Sequence, residues 1–338
     1  MAQGFFKRAL GAASLVAVMA LGACSEQAEQ ASTPAEPETS GVIQASFFPT
    51  KFFAERIGGG LVTVECPVPQ GEDPKVWEPT REDIAAFQAA DLIVLNGAEY
   101  EHWALTADLP ETKVVRSASG IEDLIVIEDA HTHRHGGGEE HTHDGVDPHT
   151  WLDPMNAIVQ AEAIAEAMAN TWPEHAVAFN ENLETLKADL VGIDAMIRNV
   201  SPMLGRVELL ASHPAYNYLA RRYGWEITNL DLDPEMETLT DEARSQIQRA
   251  MEGSDTIGLL LWESLPSNDI VLQIEELRVA SVLWSPSEMV DPTQPMPHMD
   301  YIDTLGSNVQ YLTGGFRRVG EIARGQGGQQ PPPPIPGG

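Results

Sequence analysis

The sequence predicts an α/β protein of two lobes, each a mainly parallel sheet with flanking helices, joined by a long rigid spine helix. Three observations predict it. Short β-branched runs alternate with helical patterns in the first part of the chain, and the same alternation resumes after residue 204. Between them, Met155 to Asn199 is alanine-rich and helically periodic.

The elements follow in order. "VIQASFFPT" (Val42–Thr50) and "LVTVECPV" (Leu61–Val68) read as strands bounded by Gly and Pro. "TREDIAAFQAA" opens a helix, with Thr80 as its cap and Glu82 and Asp83 in the first turn. "DLIVLNG" is a buried strand closed by Asn96-Gly97, and "KVVRSA" and "DLIVIED" read as further short strands. Trp172-Pro173 interrupts the helical middle, and Pro173 suits a first helical position. Helices are therefore expected at about 155–170 and 173–199, the second long enough, at ~1.5 Å per residue, to span about 40 Å. "VELLASHPAYNYLARRYGW" then reads as strand, loop and helix, and "IGLLLWES" as strand. "SNDIVLQIEELRV" reads as helix, "ASVLWSPS" as strand, and "MDYIDTLGSNVQYLTGGF" as a closing helix. This divides the chain into an N-terminal lobe (42–154), a helical connector (155–204) and a C-terminal lobe (205–322).

The two ends do not read as part of the fold. Lys7 and Arg8 precede the apolar run "ALGAASLVAVMALGA" and then Cys24, the order of an export signal over residues 1–23. "LGAC" resembles the lipobox of bacterial lipoproteins, in which the cysteine becomes the lipidated first residue. An uncleaved anchor helix is the alternative, and both readings place the rest of the chain outside the cytoplasmic membrane, facing a periplasm or the cell exterior. Residues 24–41 read as a flexible tether, and the Gly/Pro-rich 323–338 as a disordered tail. With Cys24 given to lipid, Cys66 is left alone, which excludes an intramolecular disulfide. The formal charge of −31 disfavours a nucleic-acid partner and attracts cations.

Histidines mark the chemistry. Six of the ten fall between His131 and His149. His149, in "DGVDPHTWLDP", follows Asp147-Pro148, where proline holds Asp147 extended, and Trp151 stands ready to wall the imidazole. His213, in "ASHPAYNY", sits just past the strand Val207–Ala211, where open α/β sheets bind ligands. One histidine from each lobe suggests a shared site. His131, His133, His135, His141 and His143 alternate with small or polar residues around Gly136–Gly138, a tract expected to act as a tethered low-affinity metal trap, or as a plain solvated linker. His102, His175 and His298 read as structural or surface residues, and Trp77 and Trp103 as core.

"DPHTWLDP", "SHPAYNYLARRYG", "WEPTREDI" with "ADLIVLNGAEYEHW", and "YIDTLGSNVQYL" together resemble the metal-binding lipoproteins of bacterial zinc and manganese ABC importers. The resemblance spans roughly Val42 to Gly320. It implies a non-enzymatic, monomeric solute-binding protein holding metal between two lobes and serving a membrane permease and its ATPase. His149 and His213 match two histidine ligands of the zinc-type members. Manganese-type members carry a carboxylate where His213 stands, so Zn2+ is favoured over Mn2+. The remaining carboxylate ligand is expected from "SPSEMVDPTQPMPHMD", with Glu288 or Asp291 as candidates. Glu263 is expected to hold His213 from behind or to cap the next helix. Where many relatives have a histidine, "EDPKVWEP" has Lys75, and an ammonium has no lone pair to give. The fourth donor is left to water, to Glu72, Asp73 or Glu78, or to a histidine of the 131–143 tract. Two readings of another kind remain open. One is a metal-sequestering or adhesin-type surface lipoprotein of the same fold. The other is a zinc hydrolase, although the chain has neither an H-E-x-x-H helix nor a G-x-S-x-G elbow.

Overall fold

The computed structural model of the protein describes residues 39–133, 141–289 and 299–325. The first lobe is a sheet of β1 (Val42–Ala45), β2 (Thr63–Glu65), β3 (Leu92–Leu95) and β4 (Val114–Arg116) in the order β2-β1-β3-β4, every pairing parallel. Its crossovers carry α1 (Phe48–Gly58) and α2 (Arg81–Ala89). The second lobe repeats the arrangement. β7 (Glu208–Ala211), β8 (Ile227–Asn229), β9 (Gly258–Trp262) and β10 (Val279–Leu283) lie in the order β10-β9-β7-β8, again parallel. α5 (Asn217–Tyr223), α6 (Asp241–Ala250) and α7 (Asn268–Glu275) connect them. In both lobes the order reverses between the first and third strands, the point at which open parallel sheets hold ligands beyond their carboxyl ends.

Local chemistry explains the elements. "LIVL" in β3 and "GLLLW" in β9 are buried along their whole length, as parallel strands covered on both faces must be. Thr80 caps α2 reciprocally: its hydroxyl accepts from the Asp83 amide at 3.2 Å, and the Asp83 carboxylate accepts from the Thr80 amide at 2.8 Å.

The centre of the molecule is α3 (Pro154–Thr171) packed along α4 (Ala176–Leu204). At 29 residues, α4 is about 43 Å long. Phe179, Leu183, Leu186, Leu190, Ile193 and Ile197 form its buried stripe at helical spacing. One core runs without interruption from Ile43 and Phe53 in the first lobe, through Phe179 and Leu186, to Leu209, Trp284 and Leu312 in the second. The last of these lies on the closing helix α8 (Tyr301–Ala323). Trp77 and Phe87 anchor a smaller cluster on the first lobe, and Trp262 and Ile247 one on the second. Trp103 packs against the Trp77 cluster, as expected of a core residue. Among the described residues no helix is long and apolar enough to cross a membrane.

The structure departs from the expected elements at several places, among them β8 and α6, which the sequence reading did not assign. The strand expected over Val42–Thr50 stops at Ala45, because Pro49 in the first turn of α1 starts a helix and Phe52 and Phe53 turn inward from it. "DLIVIED" does not join the parallel sheet: β5 (Val126–His133) pairs antiparallel with β6 (His141–Val146) in a separate hairpin. The helix expected to end at Asn199 runs on through Pro202 to Leu204. Ser201 steadies that last turn, its hydroxyl donating to the Ile197 carbonyl at 2.7 Å and accepting from the Trp225 indole at 3.0 Å.

Asp194 fastens the spine to the second lobe. Its carboxylate accepts from Arg198 Nε at 2.8 Å, Arg222 Nε at 2.9 Å and the Tyr223 hydroxyl at 3.0 Å. Arg222 also reaches Asp153, the cap of α3, at 3.2 Å. Burial alone would raise the Asp194 pKa, but Arg198, Arg222 and Tyr223 together hold it below the usual carboxylate value. A lowered folded-state pKa stabilises above the unfolded-state value of ~3.9, and that stability is lost as pH falls through the folded value. Asp194→Asn is therefore expected to lower the melting temperature at pH 7 by about 2–4 °C. The gap from the native protein should close as both are scanned below about pH 4 by calorimetry.

Candidate metal centre

The strand ends of the two lobes face a strap, Asp147–Leu152, that runs from β6 to α3. Asp147 is fully buried and engaged on every side. Its amide donates to the Ile125 carbonyl at 2.7 Å, and its own carbonyl accepts from the Tyr218 hydroxyl at 2.8 Å. Oδ1 accepts from the His149 amide at 3.0 Å and faces His149 Nδ1 at 2.7 Å. That contact turns Nε2 of His149, itself 1% exposed, toward Glu288 Oε1 at 3.1 Å. Burial opposes a proton on this imidazole. The Asp147 hydrogen bond and charge, reinforced by Glu288, outweigh it and raise the pKa to about 9. Trp151 stands against the ring with centroids 5.4 Å apart, the wall expected from its place in the sequence.

The first lobe supports this strap through its own switch point. The buried Glu101 carboxylate accepts from Ser46 Oγ at 2.6 Å, from the Asn96 amide at 2.6 Å and from the Gly97 amide at 3.0 Å. Ser46 and Asn96 follow β1 and β3, so the carboxylate ties the two strand ends together. Asn96 Nδ2 in turn donates to the Pro148 carbonyl at 3.0 Å, beside His149.

From the second lobe, β7 delivers His213. The Ser212 amide donates to the Leu261 carbonyl at 2.9 Å, and the Ala215 amide closes the turn on the His213 carbonyl at 2.9 Å. The imidazole is 4% exposed and lies edge-on to His149, with centroids 5.4 Å apart at 83°. Glu263, just beyond β9, lies 3.7 Å from His213 Nδ1, an ion-pair distance rather than a hydrogen bond.

Glu288 arrives from β10 by a constrained turn. Asn308 on α8 grips Ser285 twice, accepting from its amide at 3.0 Å and donating to its carbonyl at 2.8 Å. The Trp151 indole donates to the Pro286 carbonyl at 2.7 Å. Ser287 takes a left-handed conformation, φ 58°, a strain for a side chain of this kind that the two grips impose.

The remaining predicted residues divide. Lys75 comes to the cluster: burial lowers its pKa, against the opposing pull of Glu288, Asp73 and Asp147. Its amide donates to Asp73 Oδ1 at 2.9 Å. Glu72 and Glu78 are exposed. Asp291, His135, His298 and Cys24 lie outside the described residues. The backbone of the histidine-rich tract differs from the unstructured expectation in part, for the hairpin register sets position 131 opposite 143 and 133 opposite 141. His102 is exposed, and His175 bonds Ser40 Oγ at 2.6 Å, as surface or structural histidines would. Sequence reasoning gave no role to Asn217, Tyr218 or Asn308. An acid two residues before a candidate ligand histidine was the available signal for Asp147.

Chemically, the cluster offers imidazole nitrogen and carboxylate oxygen at a buried point with one ammonium alongside. Two donors at 2.0–2.2 Å from a tetrahedral cation stand about 3.3–3.6 Å apart; His149 and Glu288, in hydrogen-bond contact at 3.1 Å, are a few tenths of an ångström closer than that. Among the described residues, no group of three or more His, Cys, Asp or Glu stands close enough together to hold a metal ion. A cleft of about 180 Å³ opens beside Glu288, between Phe47, Cys66, Val68 and Pro74.

Two parallel-sheet lobes on a common helical spine, with histidine and carboxylate side chains gathered at the sheet ends, define a solute-binding protein. Residues 43–315 match the family described as zinc-uptake complex component A, periplasmic, and the chain belongs to that family. It is 24% identical over 296 residues to the high-affinity zinc uptake system protein ZnuA of Bacillus subtilis, covering 86% of this chain and 92% of that one. It is 27% identical over 220 residues to the manganese-binding lipoprotein MntA of Halalkalibacterium halodurans, covering 64% and 68%. The fold is similar to the crystal structure of the Zn(II)-bound ZnuA-like domain of Streptococcus pneumoniae AdcA. The TM-score is 0.68 at 21% identity, over 81% of this chain and 98% of that one.

Proposed function

We propose that the protein is an exported, lipid-anchored receptor that captures a divalent transition metal between its lobes and passes it to an ABC permease with its ATPase. Zinc is the metal, held by His149, His213 and Glu288, with water as the fourth donor. The observation that best supports this is the approach of two imidazoles from opposite lobes to 5.4 Å, beside a carboxylate 3.1 Å from one of them. Imidazole at position 213 favours zinc over manganese. Glu263 backs His213 through its charge at 3.7 Å, where Asp147 backs His149 through a hydrogen bond at 2.7 Å. His131, His133, His135, His141 and His143 raise the local zinc concentration without belonging to the buried site. Cys24 carries the lipid.

The lobes share one core and are stitched across the cleft, so capture needs little movement, and release requires the permease to loosen the stitches. Zinc titration of the full chain by chelator competition tests the ligand set. His213→Ala is expected to weaken binding by more than the about 10–100-fold that loss of an outer partner costs. Deletion of residues 131–143 should leave the tight site intact. Loss of tight binding on that deletion, with His213→Ala unchanged, would move the site to the histidine-rich tract.

Lys75 sets the strength of the site. A positive charge that feels both Glu288 and Asp147 competes with a bound dication for the same negative field. Lys75→Met keeps the length of the side chain and removes the charge. It should tighten zinc binding by about tenfold, roughly 1.4 kcal/mol. Calorimetric or competition titration checks the direction.

A further inference from the structure

Asn217 is the first residue of α5, four positions after His213, and its side-chain amide reaches across the cleft. Nδ2 donates to Asp147 Oδ2 at 3.0 Å and to the Pro214 carbonyl at 3.1 Å. Oδ1 accepts from Asn229 Nδ2 at 3.3 Å, which fixes the orientation of the amide. Asp147 is fully buried, and its other oxygen is the one that orients the His149 ring. The next residue on α5, Tyr218, donates to the Asp147 carbonyl at 2.8 Å and accepts from the Ile125 amide at 3.2 Å. A single side chain of the second lobe thus holds both the carboxylate behind one histidine and the turn that carries the other.

We propose that Asn217 is a positioning residue that couples the two histidine-bearing loops, so that His149 and His213 are set and released as one unit. The inference rests on the reading of the cleft as a zinc site, but the coupling itself exists in the metal-free protein. It acts through hydrogen bonds rather than bulk. With the amide in place, the Asp147 carboxylate is bonded at both oxygens and the His149 ring keeps one orientation. Without it, Asp147 can rotate, and the Pro214 turn loses its tie to the opposite lobe. The site then opens from either side, which speeds departure of the metal more than it slows arrival.

Two variants of the full chain separate positioning from packing. Asn217→Ala removes the amide. Asn217→Asp keeps its size and shape but sets a second carboxylate against Asp147 and the Pro214 carbonyl. Zinc-loaded protein is mixed with excess chromophoric chelator and the release rate is read, while association is followed separately by stopped flow. Release should quicken about 10–100-fold in both variants, more in Asn217→Asp, with association little changed. Hydrogen exchange of the metal-free proteins should rise together at 145–152 and 211–217. A wild-type release rate in Asn217→Asp, or faster exchange confined to 211–217, would overturn the coupling. If the native chain retained no zinc against the chelator, the receptor reading would fall, and the paired exchange would still decide the coupling.

Discussion

The geometry of the cleft depends on one buried carboxylate. Asp147 has no access to water: the His149 ring and amide meet one carboxylate oxygen and Asn217 the other, while Tyr218 holds its backbone carbonyl and Ile125 its amide. A buried carboxylate is tolerated only when it is satisfied in this way. Its partners come from both lobes, so satisfying it requires the lobes to stand where they do. The same contacts leave Nε2 of His149 directed at Glu288.

The rest of the fold supplies the frame around that point. Each lobe repeats one strand order, so each offers a switch point at its carboxyl ends, and the spine sets the two ends face to face. The second lobe uses its switch point for His213 and Glu263, just beyond β7 and β9. The first uses its own for support, tying Ser46 and Asn96 through Glu101 so that Asn96 can hold Pro148. Trp151 closes the frame by bonding Pro286, two residues after His149 and two before Glu288. A continuous, close-packed core lies beneath the whole frame.

Much of this was legible in the sequence, for local reasons. β3 and β9 are uninterrupted apolar runs bounded by turn residues, Thr80 and Asp83 signal a helix start, and Pro173 marks the break before α4. The strand reading ran on to Thr50 because aromatic residues suit strands, and only packing of α1 against the core decides for helix. The run through Pro202 was hidden because its support, Trp225, lies far along the chain. His149 and His213 could be found because each follows a strand or turn ending beside proline. Asn217 could not, since its partner Asp147 is 70 residues away and nothing in either neighbourhood points to the other. The sequence offered both Glu288 and Asp291, with Glu288 nearer the strand end, and the turn at Ser287 that brings Glu288 to His149 is a tertiary product of Asn308 and Trp151.

The proposed site requires a cation shared by imidazoles of both lobes. Zinc K-edge absorption of the stoichiometrically loaded protein, in the native form and in one lacking residues 131–143, addresses it most directly. Two imidazole shells with nitrogen at about 2.0–2.1 Å, plus oxygen, unchanged by the deletion, are the expected result. A spectrum with one imidazole or none, or one whose imidazole scattering vanishes with the deleted tract, would contradict it.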